Sequence, residues 1–152
     1  MSCGSDGQTA DSTVVETVTV LHPATAAPTL IDLGPAGASV GDVRIFHFSG
    51  LTDTGEAVDT DWVMTTTALD SPAVGVETRV TTGFVHFGGH TDDQLLVEGV
   101  ALYPGASATL KEITTIHRAL IGGAGRYAGA TGDVVSTHLP DGSWKHVFLI
   151  QR

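Results

Sequence analysis

The sequence predicts an all-β domain, an eight-stranded antiparallel β-barrel. Three observations carry this. Segments rich in Val, Thr and Ile recur along the chain, separated by clusters of Gly, Pro, Asp and Ser at regular spacing. No stretch holds apolar residues at the 3.6-residue period of an amphipathic helix. The 152 residues have the length of one domain with one core.

The elements follow in order. Residues 1–12, MSCGSDGQTADS, are small and polar and are expected to be disordered, which leaves 13–152 as a single barrel domain. TVVETVTVLH (13–22) alternates loosely and reads as a strand. Residues 24–42 carry Pro and Gly at intervals and read as a long loop. VRIFHFSGL (43–51) and AVDTDWVMTTTAL (57–69) are strands joined by TDTGE, whose Asp and Gly supply turn dihedrals. DSPAVG leads into VETRVTTGFVHF (76–87), and GGHTDD into QLLVEGVALY (94–103). ATLKEITTIHRALI (108–121) comes nearest to a helical pattern, but Ile113, Thr114, Thr115 and Ile116 favour strand. DVVSTHL (133–139), a PDGS turn and WKHVFLIQR (144–152) complete the set. Eight antiparallel strands remove their exposed edges by closing, and the interior is then just wide enough for side chains or one small ligand.

Composition narrows the function. The formal charge is −10, with only seven Lys and Arg scattered along the chain. Nucleic-acid binding needs a clustered basic surface, so no nucleic-acid partner is expected. Cys3 is the only cysteine, which excludes an internal disulfide and a thiolate metal cluster. A cytoplasmic protein is the first expectation. The alternative is a secreted or membrane-anchored lipoprotein attached through Cys3, because a processed lipoprotein begins with Cys followed by small polar residues.

GGAGRYAGATGDV (122–134) holds glycines at 122, 123, 125, 129 and 132. A Walker-type phosphate loop needs a Lys, and this run has none. GAGRYAG (123–129) has dinucleotide-fingerprint spacing, but β-branched residues and a hairpin follow instead of a helix. Without a helix there is no row of free amides for a pyrophosphate. The glycines are expected to be architectural, at least one with positive φ, with Arg126 and Tyr127 holding the turn in place.

ALIGGAGRYAGATGDV (119–134) resembles the signature of the allene oxide cyclase and dirigent superfamily, in which an Ile-x-Gly-Gly strand end meets a Gly-x-(Tyr/Phe)-x-Gly-Ala-x-Gly segment. LLVEGVAL (95–102) and SVGDVRIFHFSGLTDTGEAV (39–58) are similar to two further family segments, and all three occur in family order. The resemblance implies an eight-stranded barrel, usually oligomeric, that binds a hydrophobic small molecule in its lumen without a cofactor. It implies a cofactor-free cyclase or isomerase acting on a polyene or epoxide in natural-product biosynthesis, since bacterial relatives include spirotetronate cyclases that perform [4+2] closures. Allene oxide cyclases use a buried carboxylate, for which Glu98 is the candidate here. Other bacterial relatives carry a pair of cysteines that this chain lacks. The alternative functions are a non-catalytic hydrophobic-ligand barrel, which as a surface lipoprotein would be anchored through Cys3, and an oligomer with a filled lumen.

Period-two alternation gives two faces per strand. The residues expected to line the lumen are His47, Trp62, Met64, Ser136, His138 and Phe148, with Tyr103 at the rim. His47 and His138 are the polar candidates for catalysis, beside Glu98. Phe46 and Phe48 then face outward, and their coverage calls for a homodimer or homotrimer. The bland readings are plain core for Trp62 and Met64, and a solvent-facing Glu98. No histidines stand at H-x-H spacing, and the one H-x-x-x-H pair, His86 and His90, spans a Gly-Gly turn and not one face of a helix, so no metal is expected.

Overall fold

The computed structural model describes residues 16–24, 26–105, 110 and 114–152. Cys3 and the lipoprotein reading attached to it lie outside the described residues, as do 13–15 of the first expected strand and 108–109 and 111–113 of the sixth.

Among the described residues nine strands form one sheet: β1 (Glu16–His22), β2 (Thr29–Ile31), β3 (Val43–Thr52), β4 (Ala57–Leu69), β5 (Val76–Phe87), β6 (Gln94–Pro104), β7 (Thr115–Ala124), β8 (Thr131–His138) and β9 (Trp144–Gln151). The order is β1-β9-β8-β7-β6-β5-β4-β3-β2, and β1 also pairs with β3. That last pairing, Val20 opposite Thr52 and Leu21 opposite Leu51, closes eight antiparallel strands into a barrel. The short β2 lies inside the expected 24–42 loop and covers the part of β3 that β1 does not reach, with Thr29 opposite Ile45. There is no α-helix among the described residues, only a 3₁₀ turn at Gly125–Tyr127.

Alternation sets inside from outside. On β4, Val58, Thr60, Trp62, Met64 and Thr66 are buried, while Asp59 and Asp61 between them look outward. On β5 the inner row runs Glu77, Arg79, Thr81, Gly83, Val85 and Phe87. Near the C-terminal end of β5, Phe87 packs on Tyr127 with ring centroids 4.8 Å apart, beside Val58, Leu95 and Ile150. At its other end the core is polar and charged.

β3 has the reverse of the expected orientation. Arg44 and Phe46 are buried and Phe48 is half-buried against the core, whereas His47 and Ser49 face solvent. The register explains it. His47 stands opposite Asp61 and Ser49 opposite Asp59, so the outward acids of β4 fix their neighbours outward. His47 Nδ1 lies 2.8 Å from Asp61 Oδ1 and Ser49 Oγ donates to Asp59 Oδ1. The two phenylalanines therefore belong to the lumen, and they place no demand on an oligomer interface.

The glycine run shapes the chain. Gly125, Gly129 and Gly132 have φ of +59°, +80° and +140°, a region closed to ordinary side chains. Arg126 N–H donates to Asp93 Oδ1 at 2.8 Å, and a side chain on Gly125 would run into the same carboxylate. This turn's amide is thus taken by an acid of the chain itself, where a phosphate loop would offer it to a ligand. Arg126 also donates to Glu56 at 2.6 Å, and its guanidinium covers the buried Tyr127 ring. Gly122 is different: a Cβ there meets nothing, and its φ is unexceptional.

Replacing Gly132 by Ala should therefore cost roughly 2–4 kcal/mol, because the backbone is strained and the new carbon meets Leu149 O. Gly122→Ala should stay within about 0.5 kcal/mol. Equal denaturant midpoints for the two variants would refute the assignment of the run to backbone geometry.

Candidate functional site

The inner faces of β1, β3, β4, β6, β7, β8 and β9 meet around one pocket. Phe46, Phe48, Trp62, Met64, Tyr103 and Trp144 give it an apolar, largely aromatic wall, and His22, Arg118, Ser136 and His146 put polar groups into it. It contains about 410 Å³ of empty space when the open mouth is counted.

Glycine makes room for two of these side chains. Gly83 lies opposite Trp62 across β4 and β5, and the indole lies over it where a Cβ would otherwise stand. Gly99, in the middle of β6, leaves space for the Arg118 stem: a Cβ there would stand 2.8 Å from Arg118 Cγ. The interrupted strand LLVEGVAL thus seats a cation.

The polar groups form two sets. In the first, His22 Nδ1 donates to Pro23 O at 2.8 Å, since a carbonyl only accepts. Neutral His22 then has a bare Nε2, which takes a hydrogen bond from His146 Nε2 at 3.0 Å. His146 Nδ1 is left to accept the Ser136 hydroxyl at 2.8 Å. These tautomers are assigned from the bond network. Burial drives the His146 pKa down to about 3, with help from the charges of His22 and Arg118. Burial also lowers His22, against its bond to Pro23 O. The chain Ser136–His146–His22 therefore orients a hydroxyl but supplies a weak base at neutral pH.

The second set is cationic. Glu77 accepts from Arg79 Nη2 at 2.8 Å and stands 3.6 Å from Arg44, whose Nη1 donates to Thr66 Oγ1 at 3.1 Å. Arg79 lies over the Tyr103 ring, 4.3 Å from its centroid. Arg118 donates through Nη2 to Tyr103 Oη at 3.1 Å and covers Trp62 at 5.0 Å. Burial lowers the Arg118 pKa, opposed by the Tyr103 hydroxyl. An arginine still keeps its charge under such conditions.

Of the residues expected from sequence, Trp62, Met64, Tyr103 and Ser136 come together at this pocket. Tyr103 is buried in it, at 2% exposure, not at a rim. Phe148 is in the core beside it, on the same face of β9 as His146. His138 is buried behind Trp144, stacked at 4.6 Å, with Nδ1 donating to Leu110 O at 2.9 Å. His47 is outside, 64% exposed, and cannot act in the lumen. Glu98 also faces outward, because it shares the outer parity of β6 with Val100. The buried acid on a strand is Glu77, and its carboxylate is taken by arginine.

Sequence reasoning missed His22, Arg118, Trp144 and His146 as lining residues. Parity was the available signal. His146 and Trp144 share a face with Phe148, His22 with Val20, and Arg118 with Leu120. Among the described residues, no group of three or more His, Cys, Asp or Glu is placed to hold a metal ion.

The buried imidazoles predict an acid-labile fold. In the unfolded chain a histidine takes up a proton near pH 6.5. Folded His146 resists until about 3, so between these values the unfolded state binds more protons and stability falls as pH falls. The slope is about 1.4 kcal/mol per pH unit for each such group. His47, raised by Asp61, works the other way: its contribution is complete below pH 6.5 and is lost as pH rises through its folded pKa. It is exposed, so its effect is small. Between pH 6 and 4 the His146→Gln protein should lose stability less steeply than wild type, by up to about 1.4 kcal/mol per unit. Identical slopes in urea titrations would contradict a neutral buried His146.

No family model matches the chain, and no curated protein matches its sequence. Solved structures do share its fold. One, described as "Pyocyanin demethylase", superposes with a TM-score of 0.61 at 18% identity, covering 88% of this chain and 99% of that one. At that identity the likeness is one of fold: this chain is similar to a barrel of the same architecture.

Proposed function

We propose that the barrel binds a flat, unsaturated hydrophobic small molecule in its lumen and acts on it as a cofactor-free cyclase or isomerase. The observation that supports this most is the pocket itself, where aromatic walls surround a few buried polar groups. The resemblance of 119–134 to allene oxide cyclases and dirigent proteins agrees with it. So does the fold likeness to a barrel whose name says that it demethylates a small molecule.

Catalysis in such a site comes first from shape. Trp62, Trp144 and Phe46 would hold a flexible chain in its reactive fold, and orientation alone can supply several kcal/mol. Ser136 and Arg118 would then hydrogen-bond to oxygen where charge develops. One observation favours a second reading, non-catalytic ligand binding. The ring nitrogens of His22 and His146 are all taken, by Pro23 O, by each other and by Ser136 Oγ, so neither imidazole is free to accept a proton from substrate.

Linear conjugated polyenes and allylic epoxides, followed by absorbance and mass spectrometry, separate the two. Ring closure faster than in buffer, and changed in Trp62→Ala, supports the enzyme. Binding without turnover supports the second reading, and no binding by any of them removes both. Trp62→Ala should also cost about 3–5 kcal/mol, read from the urea midpoint.

We also propose a homodimer or homotrimer, formed through the outer face of β5 and β6. There Val80 stands opposite Val100, and Val80, Val100 and Leu102 are 40%, 56% and 49% exposed. Val100→Glu should lower the mass found by light scattering to that of one chain. A wild-type protein that is already monomeric would end this proposal.

A further inference from the structure

Resting on that reading of the lumen, we propose that its ligand is an acid, whose anionic oxygen docks on Arg118 while its apolar body lies along Trp62. The barrel buries three arginines, Arg44, Arg79 and Arg118, among the described residues. Arg44 and Arg79 share Glu77, and Thr66 adds a hydroxyl to Arg44. Asp42, at the same end of β3, feels the charge of both, and its carboxylate is held low chiefly by the amides of Leu33 and Ser39. Among the described residues, Glu77 thus stands within ion-pair distance of both cations, and Asp42 adds a negative charge at the same end.

Arg118 has no such counterpart. It is 4% exposed, and among the described residues no carboxylate lies within ion-pair distance of it. Its bonds go to neutral hydroxyls, Tyr103 at 3.1 Å and, at the limit of contact, Thr81 at 3.5 Å. Its Nε is buried without an acceptor. A buried charge that lacks a counter-charge costs several kcal/mol. The chain nevertheless makes space for it, leaving Gly99 without a side chain where a Cβ would crowd the arginine stem.

The surroundings specify the class of ligand. The guanidinium carbon stands 5.0 Å from the centroid of the Trp62 ring, a cation–π contact that uses none of its N–H donors. A planar guanidinium edge matches a carboxylate in two parallel bonds and a phenolate or enolate in one. The remaining wall is apolar, so the anion belongs to a hydrophobic molecule, not to a sugar phosphate or an amino acid. The protein as a whole carries −10 and repels anions at long range, so recognition must come from this contact in the lumen.

The test uses two matched pairs of probes: 2-naphthoate against 2-naphthamide, and 4-nitrophenolate at pH 8 against 4-nitroanisole. Binding is followed by calorimetry and by quenching of the lumen tryptophans, with wild type, Arg118→Lys and Arg118→Met. Wild type should bind at least one anion about ten- to a hundred-fold more tightly than its neutral partner. The pair that shows the preference distinguishes a carboxylate from a phenolate. Arg118→Met should abolish the preference, and Arg118→Lys should restore part of it. Because the arginine charge is uncompensated, Arg118→Met should melt no lower than wild type. A preference that survives Arg118→Met overturns the proposal, as does a variant that melts several degrees lower with no probe bound by wild type. Neutral probes that bind as well as the anions overturn it and leave the lumen-binding reading standing. Failure of all four probes to bind removes both.

Discussion

Two residue pairs hold the barrel shut. Where β1 meets β3, Val20 stands opposite Thr52 and Leu21 opposite Leu51, and Asp53 N–H adds a bond to Thr19 O at 3.0 Å. The approach depends on Gly50, because a Cβ there would press on Leu21 O and stand 3.1 Å from His22 Cβ. Without this seam β1 and β3 would be open edges, and the inner rows of side chains would face water. With it, eight strands have an inside, and every second residue must suit it. The seam also carries chemistry, since β1 ends in His22, which lines the pocket from the closing strand.

An inside this narrow forces each polar residue to find a partner or a purpose. At one end the barrel spends Glu77 and Thr66 on Arg44 and Arg79. Across the pocket His22, His146 and Ser136 satisfy one another in a line that ends on a backbone carbonyl. Rings reinforce that line, with His22 4.0 Å from Phe48 and 5.1 Å from His146. These groups fix the geometry of the lumen and leave little free reactivity. Arg118 is the exception, a buried cation whose bonds are all to neutral groups, set between the aromatic wall and the tyrosine hydroxyl. Its position is where the interior is incomplete on its own.

Most of the fold was legible. The strands expected at 57–69 and 76–87 are β4 and β5 to the residue, because their flanking turns contain Gly, Asp or Pro and their β-branched content is high. β2 was hidden by its length, three residues inside a Pro- and Gly-rich stretch. The lumen was harder to read, since parity says which residues share a face and not which face is inside. On β4 the two aspartates of one face mark it as the outer one, and Trp62 and Met64 on the other are buried. On β3 the choice failed: placing Phe46 and Phe48 inside also places Arg44 inside, which looks costly until Glu77 is seen across the barrel. Cross-strand register would have corrected it, because His47 and Ser49 must follow Asp61 and Asp59. Arg118 was invisible for a similar reason. Its significance lies in the absence of an acid within ion-pair distance among the described residues, and that depends on strands distant in sequence.

We read the lumen as built around one cation, Arg118, that an anionic ligand completes. The most direct measurement is a crystal structure of the protein grown with 2-naphthoate. The naphthalene ring should lie against Trp62, with its carboxylate hydrogen-bonded to the Arg118 guanidinium. A ligand bound only on the outer surface, or a carboxylate of the chain itself seated on Arg118, would contradict it.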